Sequence, residues 1–500
     1  MPADSLTTPP GTTSSDATPA VTSGPDPRRW LALAVIAVAQ LMIVLDVSVV
    51  NIALPDAGID LGISAADIQW VVTAYTLAFG GLLLLGGRIA DFIGRKRAFL
   101  IGLAGFAGAS ALGGIAPNQE LLFAARALQG GFAALLAPAA LSLLAVTFTD
   151  ARERARAFAV FGAISGGGAA IGLILGGVLT EYASWRWTLG INVPIAIVTA
   201  VFAVALITES RATGDRRYDV PGVLLSALGL VSLVYGFSKA AEEGVGWSDP
   251  LTLTLLGAAV VLLVSFVLYE RRASHPLLPL RVVLDRNRGG SYLVFLLVGA
   301  GLFAIFLFLT FYFQQTLGYS PLESGFAFLP FSGGIIVGAG IVSQLLPRVG
   351  PRPLIIAGLA LAVLGVLWLT RIESTSAYVT EVLPAELAIS FGMAAVFVPA
   401  SSTALVRVGE HDAGIASAVL NTSQQVGGSL GLALLSTFYA SAVSGHLADN
   451  PGGAPGEAFV HGYHVAFIWA AGLLAVALVI AAVAISAKKD DLPADGAMAV

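Results

Sequence analysis

Long apolar stretches separated by short polar or charged segments run along this chain from about residue 30 to residue 486. A hydrocarbon core about 30 Å thick needs roughly 20 apolar residues wound as a helix. Fourteen stretches approach that length: 30–53, 69–90, 98–116, 120–146, 156–180, 186–207, 220–239, 251–269, 290–316, 325–346, 353–370, 380–404, 412–440 and 463–486. Two depart most from a plain span, the short 353–370 and 380–404, which carries Glu381 and Glu386. The pattern predicts an all-α integral membrane protein with fourteen transmembrane helices.

The polar positions supply orientation. Residues 1–27 are rich in Thr, Pro, Ser and Ala and read as a disordered cytoplasmic tail. The first apolar segment is long enough to span, so no cleavable signal peptide is expected. Residues 488–500 read as a second polar tail. With the N-terminus inside, one face of the membrane receives Arg28, Arg29, Arg95, Lys96, Arg97, Arg152, Arg154 and Arg156. It also receives Arg211, Arg216, Arg217, Arg271, Arg272, Arg281, Arg286, Arg288, Arg348, Arg352, Arg407, Lys488 and Lys489. Arg186, Lys239 and Arg371 fall on the other face, and Arg88 and Arg126 lie in or near helices. Cytoplasmic loops concentrate Lys and Arg, and a wrong helix count would scramble this partition. Both termini are therefore expected in the cytoplasm of a multi-pass plasma (inner) membrane protein.

Six spans precede a charged linker at 208–219 and six follow a basic segment at 270–289, with two between. The loop after the second span reads Asp91-Phe92-Ile93-Gly94-Arg95-Lys96, and its counterpart reads Pro347-Arg348-Val349-Gly350-Pro351-Arg352. The glycine and the basic positions align while the acid is lost. This predicts two related six-helix bundles, 28–207 and 290–487, with the linkers and an inserted helix pair at 208–289, a parallel-repeat plan common among secondary transporters.

Composition agrees. Hydrophobic residues make up 57% of the chain and charged residues 11%, against roughly 25% charged in ordinary soluble proteins. The formal net charge of −5 says little about partners, and no nucleic-acid partner is expected. There are no cysteines, so disulfides and thiolate metal sites are excluded. The five histidines, His275, His411, His446, His461 and His464, form no metal-binding spacing, and no Gly-rich phosphate loop with a following Lys-Ser/Thr is present. An ATP-driven pump is disfavoured, and no metal or cofactor is expected.

Certain residues stand out against the apolar background. Asp46 lies deep in the first span, where an acid costs about 2.5–3.5 kcal/mol on insertion scales. It needs a partner, a water cavity or a proton, so it is either a protonation site or a structural acid satisfied by a neighbouring helix. Asn51 is five positions on, about 140° round the helix, and does not share its face. Arg126 sits near the start of the fourth span and cannot readily lose its charge; Asp46 is its natural candidate partner, the alternatives being a static buried pair or an arginine snorkelling to the outer interface. Gly168, Gly172 and Gly176 recur every four residues in the fifth span, followed by Gly177, a face on which a partner helix can approach closely. Asn421, Gln424, Gln425 and Gly428 form a polar stripe in the thirteenth span, either touching substrate or bonding helix to helix. Glu386 could recognise a cation, take up a second proton, or lie near the outer surface. The aromatics Phe311, Tyr312 and Phe313 read as packing.

The first span with its Leu45-Asp46-Val47-Ser48-Val49-Val50-Asn51, the segment Gly87-Arg88-Ile89-Ala90-Asp91-Phe92-Ile93-Gly94-Arg95-Lys96, and Arg126-Ala127-Leu128-Gln129-Gly130 form an ordered set. With Ser184-Trp185-Arg186-Trp187, Asn192-Val193-Pro194 and Asn421-Thr422-Ser423-Gln424-Gln425, the chain resembles the major facilitator superfamily, specifically its fourteen-helix drug–proton antiporters. The resemblance runs from about 30 to 486. It implies that Arg126 modulates a proton site and that Gly87, Asp91, Gly94, Arg95 and Lys96 act as a charge latch holding one conformation; without it they would only mark the cytoplasmic side. One position departs. The family's antiporter signature has a proline after the second glycine of the fifth span, and here that place is Leu173.

These readings converge on alternating access: two bundles rock about a central cavity, Asp46 takes a proton from outside as substrate leaves, and gives it up inside. One charge crossing 100 mV yields about 2.3 kcal/mol, enough for roughly a fiftyfold gradient of a neutral substrate. The expected partners are a lipophilic small molecule (a drug, antibiotic or secondary metabolite), protons and membrane lipids, with the chain acting as a monomer without cofactor, driven by the proton-motive force. Leu173 keeps proton-coupled uptake open. A membrane-embedded enzyme would need clustered catalytic groups near one interface, and a transporter-derived sensor would carry a cytoplasmic output domain; neither feature is visible.

Overall fold

The computed structural model describes residues 28–491 except positions 65–66, 149, 212–218, 241–245, 274–275, 277, 279, 407, 409 and 453. The first polar tail (1–27), residues 492–500 of the second, Arg216, Arg217, His275 and Arg407 thus lie outside the described residues. Fourteen helices long and apolar enough to cross a membrane occur among the described residues. We number them α1 (Arg29–Leu61), α2 (Trp70–Ile93), α3 (Arg95–Gly114), α4 (Gln119–Thr147), α5 (Arg152–Tyr182), α6 (Arg186–Leu206) and α7 (Val220–Ala240). The others are α8 (Pro250–Glu270), α9 (Arg286–Thr316), α10 (Pro321–Val349), α11 (Pro351–Leu369), α12 (Tyr378–Ala404), α13 (Ile415–Asp449) and α14 (Pro455–Ala484).

Short polar side chains set many of the helix starts. Asn118 accepts from the Leu121 amide at the head of α4, while Asp150, Asp249 and Asp285 each accept two backbone amides ahead of α5, α8 and α9. Each satisfies amides that the first helical turn leaves unpaired. Ser320 and Glu323 form a reciprocal capping box that opens α10. Among the described residues four helices are irregular, α9 through its closing π-helical turn Tyr312–Thr316. α6 breaks at Ile191, so that Asn192 begins its second segment, and α10 breaks at Phe328 after the short run Pro321–Ala327. α12 opens with a π-helical turn, Tyr378–Val382.

Helices α1–α6 pack mainly on one another, as do α9–α14, giving two bundles. The most apolar stretches of α1 and α9 are 67% buried, against 11% for α8, so α1 and α9 are central while the inserted pair α7/α8 is peripheral. That pair lies over the seam between bundles. The Trp70 indole of α2 donates to Ser238 Oγ of α7 (2.6 Å), and Thr437 Oγ1 of α13 donates to the Phe237 carbonyl of α7 (3.1 Å).

Other bonds between bundles lie at mid-depth and toward the outer ends. Thr76 and Ser429 hydroxyls pair at 2.7 Å, and Thr422 Oγ1 donates to the Gly80 carbonyl (3.1 Å). Farther out, Gln314 Nε2 donates to the Ile52 carbonyl (2.9 Å) and the Leu322 amide to Glu181 Oε2 (3.1 Å). The segment Pro321–Ala327 seats against α5, with Gly325 against the Leu173 backbone and Gly177 against Pro321 and Leu322. These contacts close the chain toward the outside.

Candidate functional site

At the middle of the first bundle, Asp46 is 1% exposed and Arg126 is 1% exposed. Such burial in hydrocarbon is tolerable only if every charge and donor is met. Close approach of α2 and α4 makes that possible: Gly130 packs against the Tyr75 carbonyl, where a Cβ would not fit. Arg126 then reaches the Val71 carbonyl through Nε (2.8 Å) and Asp46 Oδ2 through Nη1 (2.6 Å). Its guanidinium lies over the Tyr75 ring, 4.4 Å from the centroid.

Asp46 draws donors from further helices. Gln129 Nε2 of α4 (2.5 Å) and Asn192 Nδ2 of α6 (2.8 Å) both donate to Oδ1. Gln129 also accepts from Arg126 and donates to Ser110 Oγ of α3 (2.7 Å), which Asn192 approaches too (3.4 Å). Five helices therefore meet at one carboxylate, counting α2 through Val71. Sequence reasoning paired Asp46 with Arg126 but gave no role to Gln129, Asn192, Ser110 or Tyr75. Two of these sat inside quoted motifs, and polarity in the middle of an apolar span was the signal that could have found them.

The glycines of α5 line α1. A Cβ at Gly168 would press on Val44 and Leu41, at Gly172 on Ser48, and at Gly176 on the Val49 backbone. Gly177 faces the opposite bundle instead, as does Leu173, whose carbonyl meets Gly325. Asn51 is buried in the outer half of α1, away from the Asp46 cluster.

The loop after α2 is held within its own bundle in this state. Arg95 donates to Asp91 Oδ1 through Nε (3.1 Å) and Nη2 (3.0 Å), while Gly87 lies against Pro138 of α4. Gly94 has φ +111°, a conformation side chains rarely adopt, and its open face is filled by Glu209. Glu209, from the linker after α6, accepts the Lys96 and Arg97 amides (3.1 and 3.3 Å) and so caps α3. Lys96 Nζ reaches the Val204 carbonyl at the end of α6 (2.8 Å). In the second bundle Gly350 has φ +88° and Arg352 reaches the Ala482 carbonyl at the end of α14 (2.7 Å), so the repeat extends to these bonds. Replacing Glu209 by Ala is expected to cost about 1 kcal/mol at the α3 start, the usual size of a lost helix cap. Hydrogen exchange at the Lys96 and Arg97 amides should quicken while α3 beyond its first turn is unchanged.

The polar stripe of α13 divides among neighbours. The Gln424 carbonyl lies against Gly299 of α9, the Gln425 Cβ against Gly80 of α2, and Gly428 against Phe303. Asn421 is exposed and donates to the Ser417 carbonyl of its own helix. Glu386 is completely buried in α12, next to Tyr378. At the outer ends of α1, α3 and α6, Arg186 pairs with Asp60 and donates to the Ala116 carbonyl (2.9 Å), while the Trp185 indole donates to Asp60 (2.9 Å). Tyr312 and Phe313 are buried in an aromatic cluster.

The Major Facilitator Superfamily profile matches residues 36–432. The chain belongs to this superfamily. It is 51% identical over 488 residues to the puromycin resistance protein pur8 of Streptomyces alboniger, covering 96% of both chains. The cephamycin export protein CmcT of Amycolatopsis lactamdurans is 40% identical, with 84% of this chain and 86% of that one covered. The lincomycin resistance protein of Streptomyces lincolnensis is 36% identical, with 91% of each covered. Among solved structures, an inward-facing bacterial homolog of the human lysosomal transporter Spinster superimposes with a TM-score of 0.64 at 15% identity, over 94% of this chain and all of that one. The superfamily fold is thus present as a multi-pass plasma-membrane protein, with two helices added between the bundles.

Proposed function

We propose that this chain exports lipophilic small molecules, antibiotics or secondary metabolites among them, by proton-driven alternating access. The observation that carries the reading is a carboxylate at the core of the first bundle whose neutralising cation comes from another helix. A proton arriving at Asp46 would remove the charge that holds Arg126, and the hydrogen-bonded ring of Gln129, Asn192 and Ser110 would have to rearrange. That converts protonation into helix movement. The relatives named for resistance to, or export of, puromycin, cephamycin and lincomycin support an antibiotic-like substrate.

The moving units are 28–207 and 290–487, with α7 and α8 in the linking region 208–289. Asp91, Gly94, Arg95 and Lys96 serve as the latch at the cytoplasmic side, bonded here to groups of their own bundle and its linker. The α5 glycines let α1 slide against it, and Asn51, Asn421, Gln424 and Gln425 contribute hydrogen bonds to the substrate path. The protein works as a monomer among lipids, without cofactor, and catalyses no covalent change.

Overproduction should raise resistance to puromycin-like compounds, and a protonophore should collapse both the resistance and the efflux of preloaded compound. Efflux that ignores the protonophore would refute proton drive. Leu173 in place of the signature proline favours one second reading, proton-coupled uptake, and the direction of movement in inside-out vesicles separates the two.

A further inference from the structure

The Asp46 cluster leaves one membrane carboxyl unused. Glu386 of α12 has no exposed surface, and its Oε1 has no hydrogen-bond partner. Its Oε2 lies 3.1 Å from the hydroxyl of Tyr378, which in turn lies 2.7 Å from the Ala327 carbonyl. Among the described residues, no Lys or Arg is paired with Glu386. The titratable group beside Glu386 is Tyr378; Tyr319 lies near Tyr378, and Tyr312 with Glu373 and Glu381 lies farther toward the outer edge, where Ser376 donates to Glu381.

A tyrosine hydroxyl carries one hydrogen, and a backbone carbonyl can only accept. The shorter contact assigns that hydrogen to the Ala327 carbonyl. The phenolic oxygen is then left to accept, and the group able to donate to it is a protonated Glu386. A neutral acid also explains why Oε1 sits bare in an apolar setting, which an ionised carboxylate would not tolerate.

Position gives this chain of bonds a consequence. Ala327 ends the short segment Pro321–Ala327, the piece of the second bundle that closes the outer side by seating Gly325 on Leu173 and Leu322 on Gly177. Tyr378 stands in the π-helical turn opening α12, and its ring packs on Phe313, 6.1 Å between centroids. Such turns often mark functional places. We propose that Glu386 is a second proton-binding site, which with Tyr378 locks the outer gate when protonated and releases it when ionised.

The balance is simple. Transfer of one proton from Glu386 to a water molecule that reaches it leaves an acceptor at Oε2, the Tyr378 hydroxyl turns its hydrogen from Ala327 to that oxygen, and the gate segment loses its donor. The new charge then needs water, which an opened outer vestibule supplies. Rebinding a proton from outside reverses each step and recloses the gate, the order an exporter needs after releasing its substrate. This inference rests on the alternating-access reading above, but not on Asp46 as the coupling site.

The chain has no native cysteine, so single labels can be placed freely. Tyr182→Cys on α5 and Ser374→Cys in the loop before α12 are exposed outer positions on opposite bundles. Spin labels there, in nanodiscs, report the outer opening. In the otherwise unaltered protein the distance should lengthen as pH rises. Glu386→Gln keeps a donor toward Tyr378 and should hold the short distance at every pH, lowering export about ten- to a hundredfold as the open population falls. Tyr378→Phe removes the bridge and should shift the distance the other way, toward the open state even at low pH. Repeating both in an Asp46→Asn background should leave these distance shifts in place, so failure of proton drive at Asp46 and failure of the lock are read separately. A Glu386→Gln protein that titrates like its parent, or two variants that shift the gate in the same direction, would overturn the proposal.

Discussion

Asp46→Asn is expected to reduce the substrate gradient held by proteoliposomes under an imposed proton gradient from as much as about fiftyfold to none. The substitution keeps the side chain's shape, and an amide oxygen can still accept from Arg126, now at 2.6 Å from Oδ2. What it removes is the ability to alternate between charged and neutral forms, together with the countercharge of Arg126 and the Oδ1 acceptor shared by Gln129 and Asn192, so a lowered thermal midpoint should accompany the change. Substrate binding and gradient-free exchange should survive, because the bonds from Gln129 and Asn192 concern the position of α1 rather than the substrate. Asp46→Glu should retain part of the driven movement. Undiminished proton-driven accumulation by the Asn variant would assign the carboxylate to structure alone.

The spans were legible because membrane insertion imposes a long, plain signal that short-range detail cannot hide. Even the irregular ones were found, 353–370 as Pro351–Leu369 and 380–404 as Tyr378–Ala404. Ends were less so: the first helix runs to Leu61 and the thirteenth span to Asp449, because apolar length marks the bilayer and not where a helix stops. Side-chain companionship was harder still. The ring about Asp46 gathers Ser110, Arg126, Gln129 and Asn192 from three other helices, and separation along the chain carries no signal of that meeting. The α13 stripe shows what spacing along one helix leaves open. Helical spacing placed Asn421, Gln424 and Gln425 near one another, yet a helix wedged between α2 and α9 presents adjacent positions to different neighbours.

The inserted pair shows how the fold tolerates addition. Its second helix is almost all lipid-facing, while its first crosses the α2/α13 seam with hydrogen bonds to each side. Since α2 and α13 already pair through Thr76 and Ser429, the pair covers a contact between bundles that lies outside the central helices α1 and α9. The substrate path can thus remain as in a twelve-helix transporter.

Arg126→Met should be the most damaging single change in the first bundle. The pair it breaks is 1% exposed on the arginine side and 0% on the aspartate side. Removing one partner of a buried ion pair typically costs about 3–5 kcal/mol, because the other charge is left without compensation. Methionine fills much of the same volume and can pack on Tyr75, so the loss should come from charge and not from a cavity. The expected result is poor yield and a much lowered thermal midpoint in detergent. Adding Asp46→Asn to Arg126→Met removes the stranded carboxylate, and stability should recover most of the loss, a coupling that a double-mutant cycle measures directly. Transport should not recover with it, because the rebuilt core has no group left to take up a proton. Stability and proton-driven flux returning together would mean that the pair's role is to hold helices in place, and that the proton binds elsewhere.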